Sequence, residues 1–180
     1  MKKSSGFTLL ELIITVGIIG VVTAIAFPAM GVYIQNNRLT TQINALVSHL
    51  AYARNEAVSR SIQTVLCASP DSLTCAGTAW ANGWIVFGDA DASGQIDGTE
   101  AIQHVQPALT GTGITLTTTI AGGQVIYDNR GFAATLPGTF SLCDNRRGVD
   151  ASGAVDHIGA IEISITGRVR QVQDAEGPTC

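Results

Sequence analysis

A 24-residue apolar segment near the N-terminus most constrains how this 180-residue chain can fold. Residues 7–30 read FTLLELIITVGIIGVVTAIAFPAM and contain one charged side chain, Glu11. As an α-helix the segment would extend about 36 Å, enough to cross the roughly 30 Å hydrocarbon core of a bilayer. A secretory signal peptide would need a small-residue cleavage site after the segment, whereas here an amphipathic pattern follows Pro28. We therefore expect the segment to be retained, with Lys2 and Lys3 holding its start in the cytoplasm.

Glu11 is unusual in such a segment. A carboxylate deep in an apolar helix costs at least about 2.5 kcal/mol, so it should have a partner, and a single helix offers none. A free α-amine from a neighbouring subunit would serve if the chain were cut between Gly6 and Phe7. That arrangement indicates filament assembly rather than catalysis, and a merely tolerated intramembrane Glu is the alternative.

The stretch KKSSG-FTLLELIITVGIIGVV resembles the type III leader and N-terminal helix of type IV pilins and type II secretion pseudopilins. The resemblance implies cleavage after Gly6 and N-methylation of Phe7 by a prepilin peptidase. It also implies that Glu11 pairs with the methylated amine, and that Pro28 lies where pilins commonly interrupt the helix. The expected location is the bacterial inner membrane, crossed once with the head in the periplasm, and then a pilus or pseudopilus at the cell surface.

The remaining sequence predicts more helix and then short strands. Apolar residues recur at helical spacing between Val32 and about Arg60, and predict an amphipathic continuation of the same helix: Ile43, Leu46, Val47, Leu50, Ala53, Ala57 and Val58. Beyond Ser61, β-type runs alternate with Gly, Asp, Asn and Pro turn signals: Thr64–Ala68, Trp84–Phe87, Ala101–Gln106, Ile114–Thr119, Gln124–Tyr127, Thr139–Cys143, Ala160–Ile165 and Arg168–Val172.

The predicted fold is therefore α+β. A long N-terminal helix, transmembrane and then amphipathic, packs on a small C-terminal β-sandwich or β-sheet head. The expected divisions are a cleaved leader at 1–6, a membrane and filament-core helix at 7–30, its amphipathic continuation at 31–60 and a periplasmic head at 61–180.

The four cysteines are Cys67, Cys75, Cys143 and Cys180, with no CxxC pair of the zinc or thioredoxin kind. An even number in an exported chain predicts two disulfides. Of the three pairings we favour Cys67–Cys75 with Cys143–Cys180, because the first closes a short loop and the second tethers the C-terminus. The other two pairings stay open.

Residues 89–100, DADASGQIDGTE, fit the twelve-residue calcium-loop template, with oxygen ligands at positions one, three, five and nine, Gly at six and Glu at twelve. The flanking runs read as strands rather than the helices of that motif. A polar hairpin loop rich in Asp and Gly is therefore the favoured interpretation, with calcium as the alternative. We expect no metal and no cofactor.

Arginines near the C-terminus are the candidate binding residues. Arg168 and Arg170 are two apart on an extended segment, so both guanidinium groups can reach one surface. Arg146 and Arg147 would be drawn near them by a Cys143–Cys180 disulfide. Arg suits phosphate because its planar fork donates two parallel hydrogen bonds. Acidic residues nearby could instead pair with these arginines, and the formal charge of −4 excludes a generally basic nucleic-acid coat.

A second resemblance shifts the interpretation of these arginines from pairing with nearby acidic residues towards phosphate binding. The Ala-Arg-Asn-Glu-Ala stretch at 53–57, the strand at 84–87 and the closing Gly167-Arg-Val-Arg170 resemble the FimT/GspH group of minor pilins, FimT most of all. FimT members are linked to natural transformation and bind DNA through a Gly-Arg-x-Arg motif, which here implicates Arg168 and Arg170. Arg146 and Arg147 are added on proximity alone.

The sequence thus predicts a minor pilin that binds double-stranded DNA non-specifically for uptake. The alternative is a structural minor pilin or type II secretion pseudopilin that primes filament assembly. The expected partners are other pilins, the prepilin peptidase and the inner membrane. Because no catalytic Ser–His–Asp, Cys–His or phosphate-loop pattern appears, we expect no enzyme. Trp80 and Trp84 are interpreted as core or strand-surface residues rather than base-stacking platforms.

Overall fold

A computed structural model of the chain describes residues 7–98, 100–135, 137–144 and 159–172. These residues form one helix and eight strands: α1 (Leu9–Arg60), β1 (Gln63–Ala68), β2 (Gly83–Asp89), β3 (Ile102–Pro107), β4 (Thr115–Thr118), β5 (Gln124–Tyr127), β6 (Gly138–Cys143), β7 (Gly159–Ile163) and β8 (Val169–Val172). Short 3₁₀ turns, Trp80–Asn82 and Ala121–Gly123, precede β2 and β5. The chain divides into two compact units, with the boundary inside α1 between Arg38 and Leu39.

The α+β fold is confirmed, and each predicted β-run coincides with a strand. Helix α1 continues through Pro28, where the pilin resemblance suggested an interruption. The leader, residues 1–6, lies outside the described residues. The four predicted divisions of the chain stay a prediction.

Two antiparallel four-stranded sheets make up the β-rich part. The first has the strand order β3-β2-β1-β5 and the second β4-β6-β7-β8. Strand β1 is central in the first sheet, where Leu66 is paired with both Val86 and Val125. In the second sheet β8 is an edge strand, paired only on its β7 side among the described residues.

The main core lies between the C-terminal part of α1 and the two sheets. The buried apolar residues of the helix follow one another at steps of four and three, which keeps them on one stripe: Leu39, Ile43, Leu46, Leu50, Ala53 and Ala57. The predicted stripe is confirmed apart from its end, because Val58 is 49% exposed. Both tryptophans are buried in this core, as predicted, with Trp80 edge-on to Phe140 at a ring distance of 4.7 Å.

Strands β1 and β2 are buried on both faces. A second cluster on their far face contains Val65, Cys67, Ile85 and Phe87. Cys75 and Ile96, from the two loops that follow β1 and β2, pack against that cluster. Both loops therefore act as covers for the first sheet.

Candidate functional site

The N-terminal part of α1 is an apolar helix with no core of its own. Leu9–Phe27 is long and apolar enough to cross a membrane, with a mean hydropathy of 2.5, and none of it is buried within the chain. Its large side chains are more than half exposed, as at Leu9, Ile25 and Phe27. Exposed apolar surface of this extent marks a membrane or protein contact.

Glu11 lies in the first turn of this helix. Thr8, the residue before the helix, accepts a hydrogen bond at Oγ1 from the Glu11 N–H (3.3 Å), and its carbonyl accepts from the Leu12 N–H (3.2 Å). Thr8 is therefore an N-cap. The Glu11 side chain is exposed and forms no ion pair within the described residues. Its predicted intermolecular partner stays a prediction, and Gly6 lies outside the described residues.

Arg168 and Arg170 share one exposed face beside the β7–β8 turn. Val169, between them, packs against the main core, so the alternation of a strand turns both arginines outward. Together with Glu162 and Ser164 of the preceding strand and turn, they line a shallow depression of about 150 Å³. These four residues are called the arginine face below.

Glu162 pairs with Arg170 across the two strands. The two residues are register partners, the Arg170 Nε donates to the Glu162 Oε2 (2.8 Å), and the Arg170 Nη2 lies 2.7 Å from the same oxygen as an ion pair. The interpretation of paired arginines therefore holds for Arg170. Arg168 forms no ion pair with any residue in the described ranges. Arg146 and Arg147 lie outside the described residues, and their place beside this face stays a prediction.

Ser164 fixes the position of the Arg168 backbone. The Ser164 hydroxyl donates to the Arg168 carbonyl and accepts from the Arg168 N–H, both at 3.2 Å. The Ser164 N–H also donates to the Arg168 carbonyl (3.0 Å), and the Gly167 N–H donates to the Ser164 carbonyl (2.8 Å). Gly167 has φ +75°, a conformation that glycine adopts without strain. The Ser164 and Thr166 hydroxyls also share a hydrogen bond (2.8 Å), so Ser164 takes part in five hydrogen bonds within the turn.

The loop at 89–100 brings three carboxylates together. Oxygens of Asp89, Asp91 and Glu100 lie within 4.8 Å of one another. Asp89 is fully buried and accepts from the Ser93 and Gly94 N–H groups. The loop joins β2 to β3, so strands flank it as the sequence predicted.

Hydrogen bonds from backbone N–H groups explain why these carboxylates lie together in the folded loop. Glu100 accepts from the Ala90 N–H at 2.8 Å, and Asp89 also accepts from the Gln63 side-chain amide at 2.8 Å. The Ser93 N–H donates to Asp91 and lowers the pKa of that carboxyl. The loop also places Ile96 over the second cluster, which gives it a structural role as a cover. Oxygen ligands for a hard cation are present, and the absence of a metal stays an expectation.

The Cys67–Cys75 disulfide is confirmed. Inside the loop that it closes, Asp71 accepts hydrogen bonds from the Leu73 and Thr74 N–H groups, both at 2.9 Å. These bonds hold the pKa of the Asp71 carboxyl well below its usual range. Cys143 at the end of β6 is also disulfide-bonded. Its predicted partner, Cys180, lies outside the described residues, and that pairing stays a prediction.

The sequence patterns did not predict a histidine pair that lies between α1 and β3. The buried Trp84 donates its indole N–H to Nδ1 of His49 (3.0 Å), and the His49 and His104 rings are 5.1 Å apart. Burial, and then the neighbouring His104, lower the pKa of His49. Lone histidines 55 positions apart give no local signal, and only the pairing of β3 beside β2 brings them together.

Comparisons with known proteins agree with this architecture. The family model described as "Type II transport protein GspH" matches residues 42–158, and the "Prokaryotic N-terminal methylation motif" matches residues 1–27. A fimbrial protein of Pseudomonas aeruginosa is 39% identical over 70 residues, 39% of this chain and 45% of that protein. The major fimbrial protein FimA of Dichelobacter nodosus is 32% identical over 92 residues, 51% of this chain and 54% of its own. The chain thus matches about half the length of these relatives.

Solved structures share the fold. The type IV minor pilin FimU of Pseudomonas aeruginosa matches with a TM-score of 0.58 and 24% identity, over 77% of this chain and 90% of its own. The minor pseudopilin EpsH of the Vibrio cholerae type 2 secretion system matches with a TM-score of 0.53 and 13% identity, over 78% of this chain and 99% of its own. With a family model that covers most of its length and a methylation motif on its apolar helix, the chain belongs to the GspH family of type IV pilin-like proteins.

Proposed function

We propose that this chain is a FimT-like minor pilin whose head binds double-stranded DNA without sequence preference, for uptake in natural transformation. Its role as a minor pilin or pseudopilin follows from the family. The observation that supports DNA binding is the arrangement of Arg168 and Arg170 on one exposed face. Two guanidinium groups at that spacing can contact neighbouring phosphates while reading no base.

The Arg170–Glu162 pair does not prevent such binding. Both side chains are partly exposed, by 65% and 36%, and ion pairs of this kind contribute about 0.2–1 kcal/mol. A phosphate can therefore replace the carboxylate at modest cost. With two positive charges and one negative charge on the face, its net charge is about +1. Binding should be weak for each subunit and strongly dependent on salt.

The N-terminus supports assembly into a filament. The apolar helix and the methylation motif fit membrane anchoring and assembly into a pilus or pseudopilus, and the motif implies a prepilin peptidase. We further propose cleavage after Gly6, N-methylation of Phe7 and pairing of Glu11 with the amine of a neighbouring subunit. The precursor would cross the inner membrane once, with its head in the periplasm. Mass spectrometry of the N-terminal peptide from assembled filaments tests the cleavage position and the methyl group.

A structural minor pilin or secretion pseudopilin is the second candidate. The Glu162–Arg170 pair favours it, because it gives one of the two arginines a role that needs no DNA. The formal charge of −4 also opposes close approach to a polyanion at low salt. This candidate shares the membrane-inserted precursor and the function of the apolar helix.

The two candidates are separated by titrating duplex DNA into the full chain in a nonionic detergent at low and moderate salt. The test variant is Arg168→Ala/Arg170→Ala. The control is Arg60→Ala, which removes an exposed arginine of α1 that pairs with Glu56. DNA binding that weakens with salt, disappears in the double variant and survives in the control supports DNA uptake. A folded wild-type chain that binds no DNA at low salt favours the structural pilin.

A further inference from the structure

Arg54 of α1 joins the helix to the two loops beside the arginine face. Its Nε donates to the Gly131 carbonyl (2.9 Å), and its Nη2 donates to the Thr166 carbonyl (3.0 Å). Gly131 lies between β5 and β6, and Thr166 lies in the β7–β8 turn, two residues before Arg168. One guanidinium therefore holds two segments that are distant in sequence.

The two segments touch under Arg54. A Cβ atom at Gly167 would overlap the Gly131 carbonyl oxygen and would lie 3.1 Å from the Arg54 Nε. A Cβ at Gly131 would lie 2.9 Å from the Val58 Cγ2. Both glycines have positive φ values, +81° at Gly131 and +75° at Gly167. The close approach therefore needs glycine at both positions, and it sets the path by which the chain enters β8.

We propose that Arg54 is a positioning residue for the arginine face, an inference that rests on the proposed DNA-binding function. The partly buried Arg54 donates two hydrogen bonds to backbone carbonyls. Arg168 and Arg170 are exposed, and they lie two and four residues after Thr166, whose carbonyl accepts one of those bonds. Strand β8 has four residues and lies at a sheet edge, and the Arg54 contact with Thr166 adds an anchor to the hydrogen bonds within the turn before it. Arg54 thereby orders Arg168 and Arg170 before DNA arrives.

The chemistry requires arginine at this position. A guanidinium can reach two carbonyls with two donors in a fixed plane, whereas the Lys ammonium is a single point at the end of a flexible chain. Without the two Arg54 hydrogen bonds, Arg168 and Arg170 would become ordered only when DNA binds. The cost of ordering such side chains corresponds to a loss of about three- to tenfold in DNA affinity.

The test uses the full chain in nonionic detergent, with Arg54→Gln, Arg54→Lys and the control Arg60→Gln on the same helix. Hydrogen exchange of the backbone amides reports on the turn without DNA. We expect faster exchange at residues 164–168 in both Arg54 variants, unchanged exchange in β1 and β2, and no effect of the control. Unchanged exchange in the turn, or a loss of protection throughout the head, overturns the inference.

Duplex titrations supply the second measurement. Arg54→Gln and Arg54→Lys should each weaken binding about three- to tenfold. In the Arg168→Ala background, which keeps Arg170, the Arg54→Gln change should weaken binding less than it does in the wild-type chain, because a positioning residue acts only through those arginines. Additive losses would show that Arg54 contacts DNA itself and would refute the positioning role. A wild-type chain that binds no DNA refutes the proposed function instead, while the exchange data still report whether Arg54 anchors the turn.

Discussion

Replacing Glu162 by Gln should strengthen DNA binding, because Glu162 competes with phosphate for Arg170. The carboxylate accepts a hydrogen bond from the Arg170 Nε at 2.8 Å, and its Oε2 lies 2.7 Å from the Arg170 Nη2. It is also the one acidic side chain among the four residues that line the depression. The Gln side chain has nearly the same size and keeps one acceptor, so the β7–β8 pairing should persist. The net charge of the face changes from about +1 to about +2.

The magnitude follows from the exposure of the pair. An ion pair between side chains that are 65% and 36% exposed contributes about 0.2–1 kcal/mol. Phosphate no longer has to displace that interaction in the variant, so the affinity for duplex DNA should rise about 1.5- to fivefold. If Arg170 then neutralises a phosphate that it previously left free, the slope of log K against log salt should steepen by about 0.9. The free energy of unfolding should fall by less than about 1 kcal/mol.

Fluorescence anisotropy with a labelled duplex, measured over a salt series on the full chain in nonionic detergent, gives both quantities. Glu56→Gln is the control, because it removes the same charge from a second arginine pair, in which Arg60 is 62% exposed and Glu56 only 12% exposed. Equal gains in the two variants would mean a general charge effect. A gain that persists when Arg170 is also replaced by Ala, or no gain at all, would refute the competition between Glu162 and phosphate.

Three further predictions follow from other parts of the chain. The pKa of His49 is lowered from 6.5 by burial and by His104, so the unfolding free energy should decrease as the pH falls below about 6.5. Denaturant titrations at several pH values should show a smaller decrease for His49→Gln. Replacing Cys67 and Cys75 by Ala should lower the unfolding free energy by about 2–4 kcal/mol in chemical denaturation. Glu11→Ala should abolish incorporation into filaments and leave the head's circular dichroism unchanged, and normal incorporation would disprove the assembly role of that carboxylate.

The strands and the helix stripe could be predicted because they depend on local patterns. Phe140 and Leu142 of β6, and Ile161 and Ile163 of β7, are alternate residues that lie in the core, and Gly, Asp, Asn and Pro turn residues separate the β-type runs. The predicted helix stripe wrongly includes the exposed Val58, because helical spacing alone does not show where the sheets stop covering α1. The disulfide between Cys67 and Cys75 was predictable because its loop is short.

The partners of the arginines could not be predicted in the same way. Glu162 was one of several nearby acids, and only the register of β7 with β8 places it opposite Arg170. Arg54 binds two backbone carbonyls, and carbonyls leave no mark in the sequence because every residue has one. The two glycines that allow the contact, Gly131 and Gly167, are 36 positions apart, so their proximity depends on how the loop after β5 of the first sheet meets the β7–β8 turn of the second.

The contrast between an acidic chain and a small cationic face predicts an unusual salt profile. Near 0.1 M salt the screening length is about 10 Å, so a phosphate at Arg168 feels mainly the arginine face. Near 0.01 M it is about 30 Å, and the formal charge of −4 opposes the approach of DNA. Affinity should therefore rise as salt is lowered from 0.2 M and then level off, whereas a uniformly basic binder would continue to gain. A linear log–log plot down to 0.01 M would mean that positive charge outside the arginine face takes part in binding.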